Sequence, residues 1–255
     1  MLDPDELANT AAAFGVSDEQ VRRDHLISHI LSALGTLDAP LLFFGGTALA
    51  RTHLADPMSG GRLSEDIDLC TSDRASTAAL LTEQLPRRLR REFPGTIWAP
   101  SLSSVRAVQP AQLVAGDLRV RIQLLDGEQH REIAAWPSET TTLDMRYSDV
   151  PRTTLTVPTA VSFVGMKTVA WMDRATARDL YDLARLAEQG AITREVSSLI
   201  HRITGWEVAP YCFASAPAAE WQNSLSHQTR SLSTAEQCLH AVKAAFAAAL
   251  KWADD

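Results

Sequence analysis

The sequence has few of the features that mark secreted and membrane proteins. Only three of its 255 residues are cysteines, and Cys70, Cys212 and Cys238 lie far apart. An odd, widely spaced set is neither a disulfide framework nor a zinc-knuckle pattern, so we expect a reducing, cytoplasmic environment. No apolar run approaches the roughly 18 residues of a membrane helix. The acidic start MLDPDELANT lacks the apolar core of a signal peptide.

The chain also has no excess of basic residues. Its 24 Lys and Arg stand against 31 Asp and Glu, which gives a formal net charge of −7. Proteins that coat nucleic acid non-specifically are usually basic, so that role is disfavoured, and a nucleic-acid substrate would need one local basic patch. The remaining composition, 45% hydrophobic and 22% charged, is that of an ordinary globular protein.

Capping residues, prolines, glycines and apolar periodicity predict the regular elements. A capping box at Ser17–Gln20 opens a helix that ends near Gly35, and the apolar run Leu41–Phe44 predicts a buried strand. Further along we predict a strand that ends at Cys70, a helix over 74–92, strands over 96–99, 103–109 and 118–125, helices over 159–172, 175–189 and 193–204, and a last helix opened by a capping box at Ser233–Glu236.

Pro151 and Pro158 bracket a threonine-rich stretch, where we place a domain boundary. The sequence therefore predicts an α/β fold. Residues 1–157 form a mixed sheet with flanking helices, and residues 158–255 form a helical domain that completes a cleft.

The candidate functional residues lie in a segment where a predicted strand is followed by a glycine pair and then by a second strand. Gly45-Gly46 comes directly after the first strand, and Asp66 and Asp68 alternate with apolar residues about twenty positions later. Two carboxylates on one strand face repel each other unless a cation lies between them, and Mg²⁺ prefers such oxygen ligands. A glycine pair lets backbone N–H groups approach a phosphate. Each feature alone is weak, but together they indicate a site for a metal-bound nucleoside triphosphate.

These segments resemble a known family. Phe44–Arg51 (FGGTALAR) and Arg62–Leu69 (RLSEDIDL) are similar to the opening motifs of DNA polymerase β-like nucleotidyltransferases. Lys167, followed by Arg178–Leu183 (RDLYDL), narrows the resemblance to the AbiEii/AbiGii toxin branch, which includes the MenT toxins.

The resemblance implies a role for each matching residue. Asp66 and Asp68 would hold Mg²⁺, with Mn²⁺ as the alternative. The triphosphate would be contacted by Gly45, Gly46, Thr47, Ser64 and Lys167.

The helical region would supply the remaining catalytic groups. Asp182 would complete the site, either by orienting Lys167 or by taking a proton, and Asp179 is its rival because i and i+3 share a helix face. Arg178 and Asp182, four residues apart, could also form a plain helix ion pair.

The chain departs from the broad superfamily at one position. Many members carry a third carboxylate on a later strand, whereas the strand over 118–125 has Gln123 there and Asp126 just beyond it. The toxin branch is expected to lack that acid, so Gln123 favours the narrower resemblance.

The implied activity is transfer of a nucleoside monophosphate from an NTP to the 3′ end of tRNA, which would block translation. A cognate antitoxin would be the partner, and no membrane is involved. Two alternatives stay open: transfer to a protein or small-molecule acceptor, and a catalytically inactive nucleotide-binding regulatory module.

Two further clusters have competing interpretations. The arginines at 87, 88, 90 and 91 could bind an RNA backbone or form a solvated helix end. His25 and His29 are spaced one helical turn apart, but no third ligand lies near them in the sequence, so a zinc site is disfavoured.

Overall fold

A computed structural model describes residues 1–106, 108–215, 217–230 and 232–251. The seven strands of this part of the chain are β1 (Leu41–Phe44), β2 (Asp66–Thr71), β3 (Ile97–Trp98), β4 (Ala111–Ala115), β5 (Leu118–Asp126), β6 (Ser138–Thr142) and β7 (Thr154–Pro158). Its α-helices are α1 (Pro4–Phe14), α2 (Asp18–Leu34), α3 (Gly45–Ala50), α4 (Arg74–Leu89), α5 (Arg131–Ala134), α6 (Ala160–Arg174), α7 (Ala177–Glu188), α8 (Arg194–Thr204), α9 (Ala218–Leu225) and α10 (Ala235–Lys251).

The strands form one mixed sheet in the order β3-β4-β5-β2-β1-β7-β6. The pairs β2–β5 and β1–β7 are parallel, and the other neighbours are antiparallel. The centre of the sheet is therefore β2, with the antiparallel β1 on one side and the parallel β5 on the other. The predicted α/β class is confirmed, and regular elements described after β7 are all helical.

The helices before and after β7 pack against different elements, but they share one hydrophobic core. Helix α2 packs against α4 and β5, and its buried Leu26, Ile27 and Ile30 are fully shielded from solvent. Helix α6 packs against α7 and α8, while α10 packs against α7. The boundary at 157/158 stays a prediction, and residues 252–255 of the predicted helical domain lie outside the described part.

One strand prediction was wrong, and strand β7 was not predicted. The segment predicted as a strand over 103–109 forms turns at its described residues, because Ser101 and Ser104 bond each other locally and compete with strand pairing. The strand lies a few residues later, at β4. The threonine-rich stretch, predicted only as a boundary, contains β7, which pairs with β6.

The capping boxes have different outcomes. The Ser17 hydroxyl accepts from the backbone N–H of Gln20, which confirms Ser17 as the N-cap, whereas the Gln20 side chain accepts from Arg23 and does not complete the box. The second is shifted by one residue: Thr234 and Gln237 cap each other reciprocally, in place of Ser233 and Glu236. No helix in the described ranges is long and apolar enough to cross a membrane.

Candidate active site

Asp66 and Asp68 project from one face of β2, because alternate residues of a strand share a face. Between and after them Ile67 and Leu69 are fully buried and fix the strand in the core. The parallel register places Arg121 of β5 beside Asp66 and Gln123 beside Asp68. Gln123 thus lies beside Asp68, at the strand position where a third carboxylate would otherwise be expected.

The two carboxylates have different surroundings. Asp66 accepts two hydrogen bonds from Arg121, from Nε at 2.8 Å and from Nη2 at 2.7 Å. Asp68 has no hydrogen-bond partner among the described residues, and burial, reinforced by the charge of Asp66, raises its pKa to about 6. A carboxylate this poorly compensated fits a cation ligand, because a cation supplies the charge that the protein does not.

The glycine pair at the start of α3 makes room for two side chains. Gly45 has φ +77°, and a Cβ there would lie 2.2 Å from Oδ2 of Asp68. A Cβ on Gly46 would lie 2.6 Å from Nη2 of Arg62. The Thr47 hydroxyl donates to the carbonyl oxygen of Asp66, which joins α3 to β2. The glycines therefore let the backbone approach Asp68 and Arg62 closely.

Substituting Gly45 by alanine is expected to reduce activity by at least about tenfold, because the new methyl group must displace the Asp68 carboxylate. Gly95→Ala is the matched control, since Gly95 has the same φ of +77° but no atom within 4 Å of a built Cβ. Both variants should lose about 1 kcal/mol in the free energy of unfolding through backbone strain. Equal activity of the two variants would contradict a role for this close approach.

Lys167 lies between two carboxylates of α7. Its Nζ is 2.7 Å from Oδ2 of Asp182 and 3.1 Å from Oδ1 of Asp179, and only 8% of the residue is exposed. An ordinary surface lysine would have neither this burial nor two fixed partners. The structure thus places the predicted lysine beside both candidate helical acids.

Asp182 is buried and holds the side chain of Arg62 in place. It is 1% exposed and accepts from Nε and Nη2 of Arg62 at 2.9 and 3.0 Å. Burial would raise its pKa, but the charges and hydrogen bonds of Arg62 and Lys167 hold it below the ordinary value. Such a carboxylate is a poor proton acceptor, so its geometry favours orienting Lys167. The predicted helix pair of Arg178 with Asp182 is not formed, because Arg178 contacts Glu65 at 3.4 Å.

Asp179 is held in a similar way. Arg174 donates to it from Nε at 2.8 Å, and the Thr176 hydroxyl donates at 2.7 Å. Burial opposes ionisation, but Lys167 and Arg174 hold the pKa of Asp179 well below its usual range. Asp179 therefore remains ionised and fixes two cations at the edge of the site.

These residues surround a cavity of about 380 Å³. Its lining has four cationic side chains and five carboxylates: Arg62, Lys167, Arg174 and Arg178, and Glu65, Asp66, Asp68, Asp179 and Glu220. The Ser64 hydroxyl also lines it and is buried without a hydrogen-bond partner in the described structure. A cavity with excess carboxylate, fixed cations and an unused hydroxyl suits a polyanion that arrives with a metal ion.

A second cavity of about 360 Å³ adjoins the first and shares Asp68, Lys167 and Arg174 with it. The rest of its wall is mainly apolar, with Phe44, Trp136, Phe163 and Met166 among the contributors. The structure therefore joins a charged cavity to an apolar one at Asp68.

The structure brings together most of the predicted site. Of the predicted residues, Gly46, Thr47, Ser64, Asp66, Asp68, Lys167 and Asp179 line the first cavity, Gly45 lines the second, and Asp182 lies behind Lys167. Arg62 and Arg174 were not predicted as parts of the site. Arg62 begins the quoted Asp-x-Asp segment, which was a usable signal, whereas Arg174 reaches the site from the end of α6 without a recognisable motif.

A mixed sheet with a glycine pair after its first strand and two carboxylates on the next defines the nucleotidyltransferase class. The family described as "Nucleotidyl transferase AbiEii toxin, Type IV TA system" matches residues 29–251, and the chain belongs to it. The protein is thus a nucleotidyltransferase toxin of a type IV toxin–antitoxin system, which implies a cognate antitoxin. Nucleotidyltransferases in general use an NTP and divalent metal.

Solved structures show the same fold at low sequence identity. The nucleotidyltransferase toxin MenT4 of Mycobacterium tuberculosis superposes with a TM-score of 0.64 and 19% identity, covering 97% of this chain and 89% of that one. A putative nucleotidyltransferase from H. pylori gives a TM-score of 0.55 and 13% identity, with 93% and 97% covered. No curated protein sequence matches the chain.

Proposed function

We propose that this toxin transfers a nucleoside monophosphate from an NTP to the 3′ end of tRNA, with Asp66 and Asp68 holding Mg²⁺, or Mn²⁺ in its place. The observation that carries the metal assignment is Asp68, a carboxylate without a protein partner beside a second carboxylate. Hard oxygen ligands of this kind suit Mg²⁺, which binds one or two carboxylates together with substrate phosphates. When bound, the metal neutralises charge on the phosphate that is transferred.

The cationic side of the cavity supports the binding of a triphosphate. Lys167 and Arg174 are held by Asp179, and Arg62 is held by Asp182, so their positions are set before a nucleotide arrives. Charges fixed in advance stabilise a phosphoryl-transfer transition state without reorganisation. The Ser64 hydroxyl supplies an unused donor for a phosphate oxygen.

In the proposed reaction a ribose hydroxyl of the acceptor attacks the α-phosphorus of the NTP. A new P–O bond forms, the bond from the α-phosphorus to the bridging oxygen breaks, pyrophosphate leaves, and the proton of the hydroxyl passes to solvent water. Asp179 and Asp182 are held ionised by their cations, which makes them weak proton acceptors. Their part is to position Lys167, while Lys167 faces the negative charge of the triphosphate.

The side of Asp66 and Asp68 opposite the helices supports an approach route for the acceptor. A cavity of about 180 Å³ there is lined by Asp66, Asp68, Pro110, Arg121 and Gln123. Arg121 is half-exposed, with its guanidinium on Asp66. A cation at this position suits an RNA phosphate next to the attacking nucleotide.

The acceptor is tested by incubating the purified protein and Mg²⁺ with each α-³²P-labelled NTP, total cellular RNA and total cellular protein. We expect label in RNA of tRNA size, removed by a 3′ exonuclease. Label in protein or in a small molecule would replace the tRNA acceptor by another, and no label in any fraction would favour an inactive regulatory module. Omitting Mg²⁺ and adding EDTA should abolish the signal.

Arg121→Gln is expected to weaken RNA binding and to lower the slope of log K against log salt by about one, because one phosphate contact is lost. Arg87→Gln is the matched control: Arg87 is also exposed and also pairs with an acid, Glu83, but it lies on α4. A larger effect at Arg87 would instead identify the α4 arginines as the RNA surface. NTP binding is measured separately, since the Arg121 variant also frees Asp66.

A further inference from the structure

Two histidines and an aspartate converge away from the candidate active site. His25 and His29 lie one turn apart on α2, and Asp149 lies in the loop before β7. None of the three lines the cavities around Asp66 and Asp68. No third ligand lies near the two histidines in the sequence, but the fold supplies one, Asp149, from more than a hundred residues further along the chain.

The ligand atoms form a triangle. The two Nε2 atoms are 3.2 Å apart, and Oδ2 of Asp149 lies 3.1 Å from Nε2 of His25 and 3.5 Å from Nε2 of His29. With metal–ligand bonds of about 2.0–2.1 Å, tetrahedral geometry places neighbouring ligand atoms about 3.3 Å apart. The three observed separations scatter around that edge length, so one ion can contact all three atoms.

Hydrogen bonds alone satisfy this triangle poorly. A neutral imidazole Nε2 carries either one proton or one lone pair. If His25 donates to Oδ1 of Asp149, the Nε2 of His29 is left with only a long contact to Oδ2, at 3.5 Å, and lies 3.2 Å from the Nε2 of His25. If His25 accepts from His29, its lone pair faces the Asp149 carboxylate. A cation at the centre satisfies all three lone pairs at once.

Aromatic side chains enclose the two histidines. Both histidines are buried, and their rings pack against Phe93, with Tyr147 against His25. The amino group of Met1 reaches Oδ2 of Asp149 at 2.8 Å.

We propose that His25, His29 and Asp149 bind one zinc ion, with water as the fourth ligand, and that this ion fastens α2 to the loop before β7. Imidazole nitrogens select zinc and similar transition metals, whereas Mg²⁺ prefers oxygen ligands. The site is therefore chemically distinct from the carboxylate pair on β2. Its role is structural, because it joins two segments that are remote in sequence and lies outside the cavities of the candidate active site.

The test uses the tag-free, EDTA-treated full chain carrying Asp68→Asn, so that the carboxylate pair on β2 does not contribute. We expect calorimetry to give one equivalent of Zn²⁺, a rise in Tm on adding it, and visible bands of tetrahedral Co²⁺ on adding cobalt. His29→Asn and Asp149→Asn should weaken binding by about 100-fold or more, since even outer-shell changes cost 10–100-fold. His240→Asn, which removes an exposed histidine of α10, should leave it unchanged.

If the buried His29 variant does not fold, Asp149→Asn alone tests whether the cluster binds zinc. Asp149 lies in a loop, and asparagine preserves the shape of its side chain. Absence of stoichiometric Zn²⁺ binding in the Asp68→Asn protein would overturn the proposal. Equal affinity of the Asp149→Asn variant would overturn it as well.

Discussion

Replacing Asp68 by asparagine is expected to abolish nucleotidyl transfer and, at the same time, to stabilise the metal-free protein at pH 8. Activity falls because one of the two carboxylates proposed to hold Mg²⁺ is lost. Stability rises because Asp68 is ionised at pH 8 only at a cost, with burial and Asp66 both opposing its charge. Asparagine keeps the shape of the side chain and removes that charge.

The sign of the pH dependence follows from the raised pKa. Asp68 titrates near pH 6 when folded and near its ordinary value of 3.8 when unfolded. The wild-type protein therefore loses stability as the pH rises from about 4 to about 6, and the loss persists above that range. The advantage of the variant should be about 3 kcal/mol at pH 8 and should become small near pH 4.

Denaturant unfolding in EDTA at both pH values measures this difference. Asp38→Asn is the control, because Asp38 is exposed and its charge has no ion-pair partner in the described residues. Transfer by the Asp68 variant at a rate near that of the wild type would remove Asp68 from the metal site. A gain in stability that is the same at both pH values would show that the ionised carboxylate is not strained.

Local sequence patterns predicted the strands and helices that have a clear alternation or periodicity of apolar residues. The alternation of Leu118, Val120 and Ile122 with polar residues predicted β5 within one residue, because one face of that strand is buried. Strand β6, Ser138–Thr142, has no such alternation and is largely exposed. It is stabilised by its pairing with β7, and a local pattern of residues does not reveal that contact between two separate segments.

The same distinction applies to the candidate site. Asp66, Asp68 and the glycine pair could be predicted because strand periodicity and turn chemistry place them within thirty residues of each other. Arg62 was missed because its partner Asp182 follows it by 120 residues. Its long side chain is fully enclosed only when α7 packs against the segment before β2. The third ligand of the histidine cluster, Asp149, escaped prediction for the same reason.

Lys167→Met is expected to lower the turnover rate by at least about 100-fold, since that is the typical loss when one preorganised charge is removed from such a site. The structure adds a second effect. Methionine leaves Asp179 and Asp182 with one fewer cation, and an unbalanced buried charge destabilises a protein by about 3 kcal/mol or more. A loss of activity in the single variant therefore does not separate chemistry from folding.

The double variant Lys167→Met/Asp179→Asn separates them, because it removes one cation and one buried carboxylate together, and the cation left behind, Arg174, has a side chain that is 58% exposed. If the ammonium of Lys167 acts on the triphosphate, the double variant should recover much of its Tm and remain inactive. If Lys167 only neutralises Asp179, activity should return together with stability. Gln123→Ala serves as the reference for a neighbour of Asp68 without charge and should lower the rate only mildly. An essential Gln123 beside a dispensable Lys167 would reject the helical lysine as part of the site, and would leave the strand carboxylates as its only catalytic charges.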